Sequence, residues 1–279
     1  MNHPDIEVMV CEFLLKQGIP VSQFINNKNA RYLTDLNGEI YHLQKYIEGM
    51  NYDTHKAPDW LMKELAKNLG KIHNILEDYP SLPVGMGEKF FSFMTPQRAM
   101  DSYHKTMKIA EKEDDLQTME ELRLRLEILE QFPYQTIALK ELSCGNTHGD
   151  YSINQIIAKD KHIVGIIDWT SACIHPYVWE IMRSFVYAEP DCKDGEIPTE
   201  KFITYVKEYL KYHSLTTKDL ERMPIVFYYQ IAVCDYYAQY YNSQAGNREI
   251  FLNQARFSTK LMKWFHHNMD RLIESLQSL

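Results

Sequence analysis

Basic residues never gather into a stripe in this chain, and that absence is the first limit on its partners. Its 30 lysines and arginines face 38 aspartates and glutamates, for a net charge of −8. Binding a phosphate backbone needs a concentrated positive face, so nucleic acid is set aside as a partner. Cysteine is sparse too: five residues, an odd number, with no C-x-x-C pair. They read as reduced, mostly buried thiols, not as a disulfide framework or a zinc cage. No apolar run approaches bilayer-spanning length, and the opening MNHPDIEV lacks a basic and then apolar leader pattern. A cytoplasmic protein without a membrane segment is expected.

What is present divides into a short strand-bearing piece and a long helical one. Ile6, Met9, Val10, Phe13 and Leu14 recur at helical spacing and predict a helix from about Asp5 to Gln17, stopped by Gly18 and Pro20. Two strand-like runs, Arg31–Leu36 and Glu39–Ile47, flank Asn37-Gly38, the strongest short hairpin signal. Beyond Gly49 the pattern turns helical. Leu61, Leu65, Leu69, Ile72 and Leu76 form one stripe, with Asp59 as its expected cap. Another helical region runs from about Gln97 to Gln131, broken near Glu113-Asp114-Asp115. Helices return after Tyr177, with interruptions expected near Pro190, His213-Ser214 and Pro224. The architecture expected is α+β, with residues 1–48 as a small domain and 49–279 as a mainly helical one.

Between the helical regions lies the stretch that carries chemistry, THGDYSINQIIAKDKHIVGIIDW, Thr147 to Trp169. Gln155-Ile156-Ile157 and His162–Ile167 are β-branched runs around the polar turn Ala158–Lys161, which predicts a hairpin whose outer ends lie side by side. Asp150 precedes the first strand, Gln155 opens it and Asp168 ends the second, so three oxygen-bearing side chains converge. A carboxylate beside an amide oxygen suits a hard cation such as Mg²⁺, while a second carboxylate nearby is placed to take a proton from a hydroxyl. The histidines His148, His162 and His175 match none of the usual zinc spacings.

Those residues resemble a known family. His148-Gly149-Asp150, then Gln155, then Ile166-Ile167-Asp168-Trp169 is similar to the catalytic and metal loops of the aminoglycoside phosphotransferase and choline kinase type of small-molecule kinase. The resemblance implies a protein-kinase-like two-lobe fold and transfer of the γ-phosphoryl group of ATP, with Mg²⁺, to a hydroxyl of a small molecule such as an aminoglycoside, choline, a sugar or homoserine. Residue by residue it implies Asp150 as catalytic base, with Gln155 and Asp168 on the metal. Gln155 stands where the family usually has asparagine; Asn154 is one position out of register. His148 would steady the loop, and Glu180, in place of a usual aspartate, would be structural. Gln44–Gly49 looks like the hinge, where main-chain groups of Lys45 and Ile47 would meet adenine. Glu7 would match the family's ion-pairing glutamate.

The same resemblance marks a departure. The family's first strands carry a glycine-rich flap and a lysine, whereas here the first glycine is Gly18 and the first lysine Lys16. A truncated small lobe is therefore expected, with Glu7 lacking an evident partner and the outer face of the hairpin exposed. A kinase-like binding protein without turnover is the alternative reading. Further on, Tyr229, Tyr236 and Tyr240 are expected on one face of a helix spanning Tyr228–Tyr241, with Asp235 beside them. Asp235 and Tyr236 then read either as a wall for a cationic substrate or as ordinary packing.

Overall fold

The computed structural model describes residues 4–279. In chain order the elements are α1 (Pro4–Lys16), β1 (Phe24–Ile25), β2 (Leu33–Leu36), β3 (Glu39–Gln44), α2 (Asp59–Leu76), α3 (Glu88–Phe93), α4 (Pro96–Lys112) and α5 (Leu116–Glu130). There follow β4 (Cys144–Thr147), β5 (Ile156–Lys159), β6 (His162–Ile166), β7 (Cys173–Pro176), α6 (Tyr177–Ala188), α7 (Thr199–Tyr209), α8 (Thr217–Val233), α9 (Tyr236–Asn242) and α10 (Ala245–Gln277). The α+β class read from the sequence holds: strands are few and short, and helices dominate. Among the described residues no helix is long and apolar enough to cross a membrane.

Contacts sort the chain into two compact units. The first comprises the chain up to Gly85, Ser143–Pro190 and Glu200–Thr216. In it α1 turns Val10, Cys11 and Leu14 inward with Glu7, whereas Met9, expected on that face, is 59% exposed. Asn37 and Gly38 both take positive φ, 58° and 88°, the paired left-handed geometry that tight hairpins require. β3 lies between β1 and β2; β1 is too short to leave a sequence signal. Cross-strand register puts Ile25, Leu36, Tyr41 and Leu43 on one face, and all four are exposed.

The rest of this unit is built on α2, whose Leu61, Leu65, Leu69, Ile72 and Leu76 are wholly buried. Full burial of each such side chain contributes roughly 1.5–3 kcal/mol before entropy is counted. Pro58, in extended conformation, occupies the N-cap position and Asp59 follows it, so Asp59 supports the helix through its charge in the first turn and not as the cap. The far end of α2 is finished by Asn146 of β4. Its Nδ2 donates to the Leu76 and Tyr79 carbonyls (3.1 and 3.0 Å), and its Oδ1 accepts from the Leu82 N–H at 2.9 Å. β4 pairs antiparallel with β7, and β5 with β6. The β5–β6 turn uses Asp160 and Lys161, again both at positive φ.

The second unit, Met86–Leu142, Asp191–Thr199 and Thr217–Leu279, is helical. α4 starts at Thr95, whose side chain accepts the Arg98 N–H, and α5 at Asp115, which accepts the Thr118 N–H. The expected break between them therefore falls where the acidic cluster stands. Two sequence expectations fail here. α8 runs straight through Pro224, because packing along α10 outweighs the roughly 3 kcal/mol that an interior proline costs. The segment Tyr228–Tyr241 is not one helix but ends at Val233 and restarts at Tyr236.

The cause of that break lies elsewhere in the sequence. Arg125, fully buried on α5, donates to the Ile231 and Ala232 carbonyls (2.5 and 3.3 Å). The Tyr103 hydroxyl lies 2.8 and 2.7 Å from those of Ala232 and Cys234 and shares its one proton between them. Together they take up carbonyls that an unbroken helix would have used. Tyr229 consequently points its hydroxyl to the Met94 carbonyl, 2.9 Å away, and does not share a helical face with Tyr236 and Tyr240.

Candidate active site

The loop from His148 to Tyr151 is held from beneath by one residue. Glu180, in the first turn of α6 and completely buried, accepts the Gly149 N–H at 2.7 Å and the Tyr151 N–H at 3.4 Å on Oε1. Its Oε2 accepts the His148 N–H at 3.3 Å and faces His73 Nε2 at 2.9 Å. Burial alone would raise the Glu180 carboxyl; the hydrogen bond and charge of His73 lead the groups that outweigh it and bring it down to about 2. His148 is also fully buried, and burial pushes its own pKa down. Its Nε2 reaches the Ile167 carbonyl at 3.0 Å, tying the loop to the end of β6.

Gly149 explains why the loop can pass here. Its φ is +81°, and a Cβ added to it would lie 1.9 Å from the Ser171 carbonyl oxygen. Only glycine satisfies both conditions. The tight passage leaves Asp150, two residues past His148, half-buried with its carboxylate ringed by donors. Arg183 of α6 donates to Oδ1 through Nε at 3.0 Å and through Nη2. Gln155 Nε2 donates to Oδ2 at 3.3 Å, which turns the amide oxygen of Gln155 away from Asp150.

The two outer ends of the β5–β6 hairpin meet as the sequence led one to expect. The Ile167 N–H donates to the Gln155 carbonyl at 2.9 Å, so Asp168 emerges next to Gln155 although the two are far apart in the chain. Asp168 adopts the left-handed region at φ 62°, is exposed, and takes a hydrogen bond from Thr170 at 2.6 Å on one oxygen. Asn154 is turned to Thr54 instead. A cleft of about 520 Å³ opens beside Asp168, lined also by Glu7, His42, Lys45 and Ile47. The residues assigned from sequence to nucleotide binding thus share one cavity with a residue assigned to metal.

Glu7 is held by the main chain. It is 2% exposed, accepts the Trp169 N–H at 3.3 Å, and burial raises its carboxyl while nearby His42 opposes the rise. Lys45 donates its N–H to the Gln23 carbonyl at 2.8 Å, continuing the β1–β3 pairing. Asp235 and Tyr236 lie in the second unit, at the start of α9. There Asp235 lines a separate cavity of about 330 Å³ with Phe93, Arg98 and Lys105.

A hard cation fits the donor chemistry at the hairpin end: the Asp168 carboxylate, which lines the cleft, and the amide oxygen of neighbouring Gln155 are both oxygen donors. Among the described residues no group of three or more His, Cys, Asp or Glu could hold a metal. Ions held by so few protein atoms take their remaining ligands from water and substrate phosphate. The residue that sequence reasoning missed is Arg183. Its signal was present in retrospect, three positions after Glu180 and so on the same face of α6.

Solved structures give the fold. An aminoglycoside phosphotransferase from Alicyclobacillus acidocaldarius is 14% identical, with a TM-score of 0.65 over 97% of this chain and 83% of its own. Amicoumacin kinase, solved with AMP-PNP, Ca²⁺ and Ami, is 13% identical, with a TM-score of 0.61 over 92% and 76%. Choline kinase from Cryptosporidium parvum follows at 14% and 0.56, over 99% and 81%. No curated protein sequence matches. A profile of the phosphotransferase enzyme family matches residues 5–212, a span that contains Lys45 and Ile47, the Asp150 loop, the β5–β6 hairpin and α6, and the chain accordingly belongs to that family.

Proposed function

We propose that the protein transfers the γ-phosphoryl group of ATP to a hydroxyl of a small molecule, with Asp150 as the general base. The observation that carries this reading is the hairpin end. It sets Gln155 against Asp150 on one side and beside Asp168 on the other. In the reaction the acceptor oxygen forms a bond to the γ-phosphorus as the bond to the bridging oxygen breaks. ADP departs with that electron pair, and the hydroxyl proton passes to Asp150.

Gln155 and Asp168 would hold Mg²⁺, which when bound neutralises charge on the phosphates. Residues 1–48 would form the small lobe, ending in the hinge. Because the Lys45 N–H is spent on Gln23, its carbonyl is what Lys45 can offer the adenine edge, with the N–H of Ile47 as the complementary donor. Glu180 and His148 keep the Asp150 loop in shape without touching substrate. Asp235 and Tyr236 remain proposed acceptor contacts, through charge and cation–π attraction.

Thermal-shift titration with ATP and Mg²⁺ tests the first step. Ligand at about 100 times its Kd stabilises by about 2.7 kcal/mol. Asp150→Asn is expected to abolish turnover with a panel of hydroxyl acceptors while nucleotide binding persists; Asp168→Ala is expected to weaken Mg-ATP binding itself. Full turnover by Asp150→Asn would remove the mechanism. Binding by the unaltered protein without turnover on any acceptor would leave the non-catalytic alternative.

A further inference from the structure

Helix α6 grips the Asp150 loop twice, once through the main chain and once through a side chain. Glu180 takes the main-chain N–H groups on either side of Asp150; Arg183, one turn later, takes the Asp150 side chain itself. The guanidinium is braced along its own helix. It lies 4.8 Å from the ring centre of Tyr187 and 5.8 Å from that of Trp179, four residues after and before it. Tyr187 is in turn stacked on His55, with ring centres 6.4 Å apart. A long side chain held between aromatic faces loses little further entropy when it binds a carboxylate.

Lone pairs decide what this contact does. Each carboxylate oxygen accepts about two hydrogen bonds. Arg183 directs two donors, Nε and Nη2, at Oδ1, which fills it. Gln155 directs one donor at Oδ2, which leaves that oxygen room for one more. We propose that Arg183 is a positioning residue for Asp150: it fixes the rotation of the carboxylate and makes Oδ2 the oxygen that receives the acceptor's proton. The inference rests on the phosphotransferase reading above. Arg183 keeps its charge and its proton throughout, and it acts only through Asp150. Lysine cannot replace it, since a single ammonium lacks the two guanidinium donors, fixed in one plane, that converge on Oδ1.

The test uses hydrolysis of ATP with Mg²⁺, water serving as acceptor, and the variants Arg183→Lys, Arg183→Gln and Arg183→Ala. Misplacement of a base costs on the order of 10²-fold in rate. The expected result is a drop of that order in kcat for Gln and Ala, a smaller one for Lys, and KM for ATP within about twofold of the unaltered protein. Guanidinium ion at a non-denaturing concentration should restore part of the Arg183→Ala rate, which a purely structural role would not predict. Unchanged kcat in Arg183→Ala would overturn the proposal, as would equal losses of Tm in all three variants without guanidinium rescue. If the unaltered protein turns over no ATP with water or with any hydroxyl acceptor of the panel, the phosphotransferase reading falls first. A crystal structure of Arg183→Ala then decides the grip alone: an Asp150 carboxylate that keeps its rotation and its Gln155 contact would remove it.

Discussion

His73 Nε2 and Glu180 Oε2 are 2.9 Å apart, and neither side chain has any exposure to solvent. The pair sits under the Asp150 loop and continues away from it: His73 Nδ1 meets the Tyr209 hydroxyl at 2.8 Å, that hydroxyl meets His213 Nδ1 at 2.9 Å, and His213 Nε2 meets Glu77 at 3.0 Å. Removing one partner of a buried, hydrogen-bonded pair costs about 3–5 kcal/mol, because the other is left uncompensated. Glu180→Gln is therefore expected to lower unfolding free energy by that order in urea titration, with turnover lost as the loop loosens. A cost below about 1 kcal/mol, the value of an exposed pair, would show that the loop is held by other means.

Acid should weaken the fold through two pH windows. Burial lowers His175 from 6.5 to about 4 and lowers His148 as well, so the folded state keeps both neutral where the unfolded chain binds protons. Stability is then lost as pH falls from 6.5 toward 4. The Glu180 carboxyl, held at about 2 against an ordinary 4.5, adds stability that is complete above 4.5 and disappears as pH falls toward 2. Tm measured between pH 7 and 3 is expected to decline through both windows, and His175→Asn to flatten the upper one. A Tm that rises on acidification from pH 7 to 5 would contradict the burial of these histidines.

Two glycines at positive φ should respond very differently to alanine. Gly38, at +88°, has nothing within 4 Å of an added Cβ, so Gly38→Ala should cost only the left-handed strain of about 1–2 kcal/mol. Gly149→Ala adds a collision with the Ser171 carbonyl and should cost about 3 kcal/mol or more, with loss of activity. Thermal melts of the two proteins side by side are the measurement.

Among the described residues, the hydrogen-bond partners of Arg125 are carbonyls and the hydroxyl and thiol groups of Tyr103, Ser258, Thr259 and Cys234, with no carboxylate. Arg125→Met should destabilise by about 3 kcal/mol, since the Ile231 carbonyl loses its charged donor in a buried setting. Arg125→Lys should recover little, because one nitrogen cannot serve Ile231 and Ser258 together. Urea unfolding of both variants checks this; a Met variant as stable as the parent would mean that Tyr103 suffices.

These cases also separate what the amino-acid order reveals from what it hides. The Asn37-Gly38 turn, the α4–α5 break at Asp115 and the hairpin around Asp160-Lys161 were readable because their causes are local: left-handed backbone, a capping side chain, β-branched runs beside a polar turn. The Asp150, Gln155 and Asp168 neighbourhood was readable for the same reason, since one hairpin generates most of it. The β4–β7 pair was not, because Cys144-Gly145-Asn146-Thr147 has no alternation and its partner strand lies far along the chain. Nor was the stop after Val233, imposed by Arg125 from more than a hundred residues away. Arg183 escaped because an ion pair leaves no periodicity behind it.

The β5–β6 hairpin is bordered on both sides. Met50 exchanges two main-chain hydrogen bonds with Ala158, at 2.8 and 2.9 Å, and the Ile166 N–H donates to the Pro20 carbonyl at 2.7 Å where Val21 runs parallel to it. Two strands alone are marginal in water and free to slide. Here a slide by one residue would tear both borders at once and turn Ile156, Ile163 and Ile166 out of the interior. The spacing between Gln155 and Asp168 is thus protected against the commonest error of a ribbon, and sequence drift in the turn at its tip can be absorbed without being felt at its base.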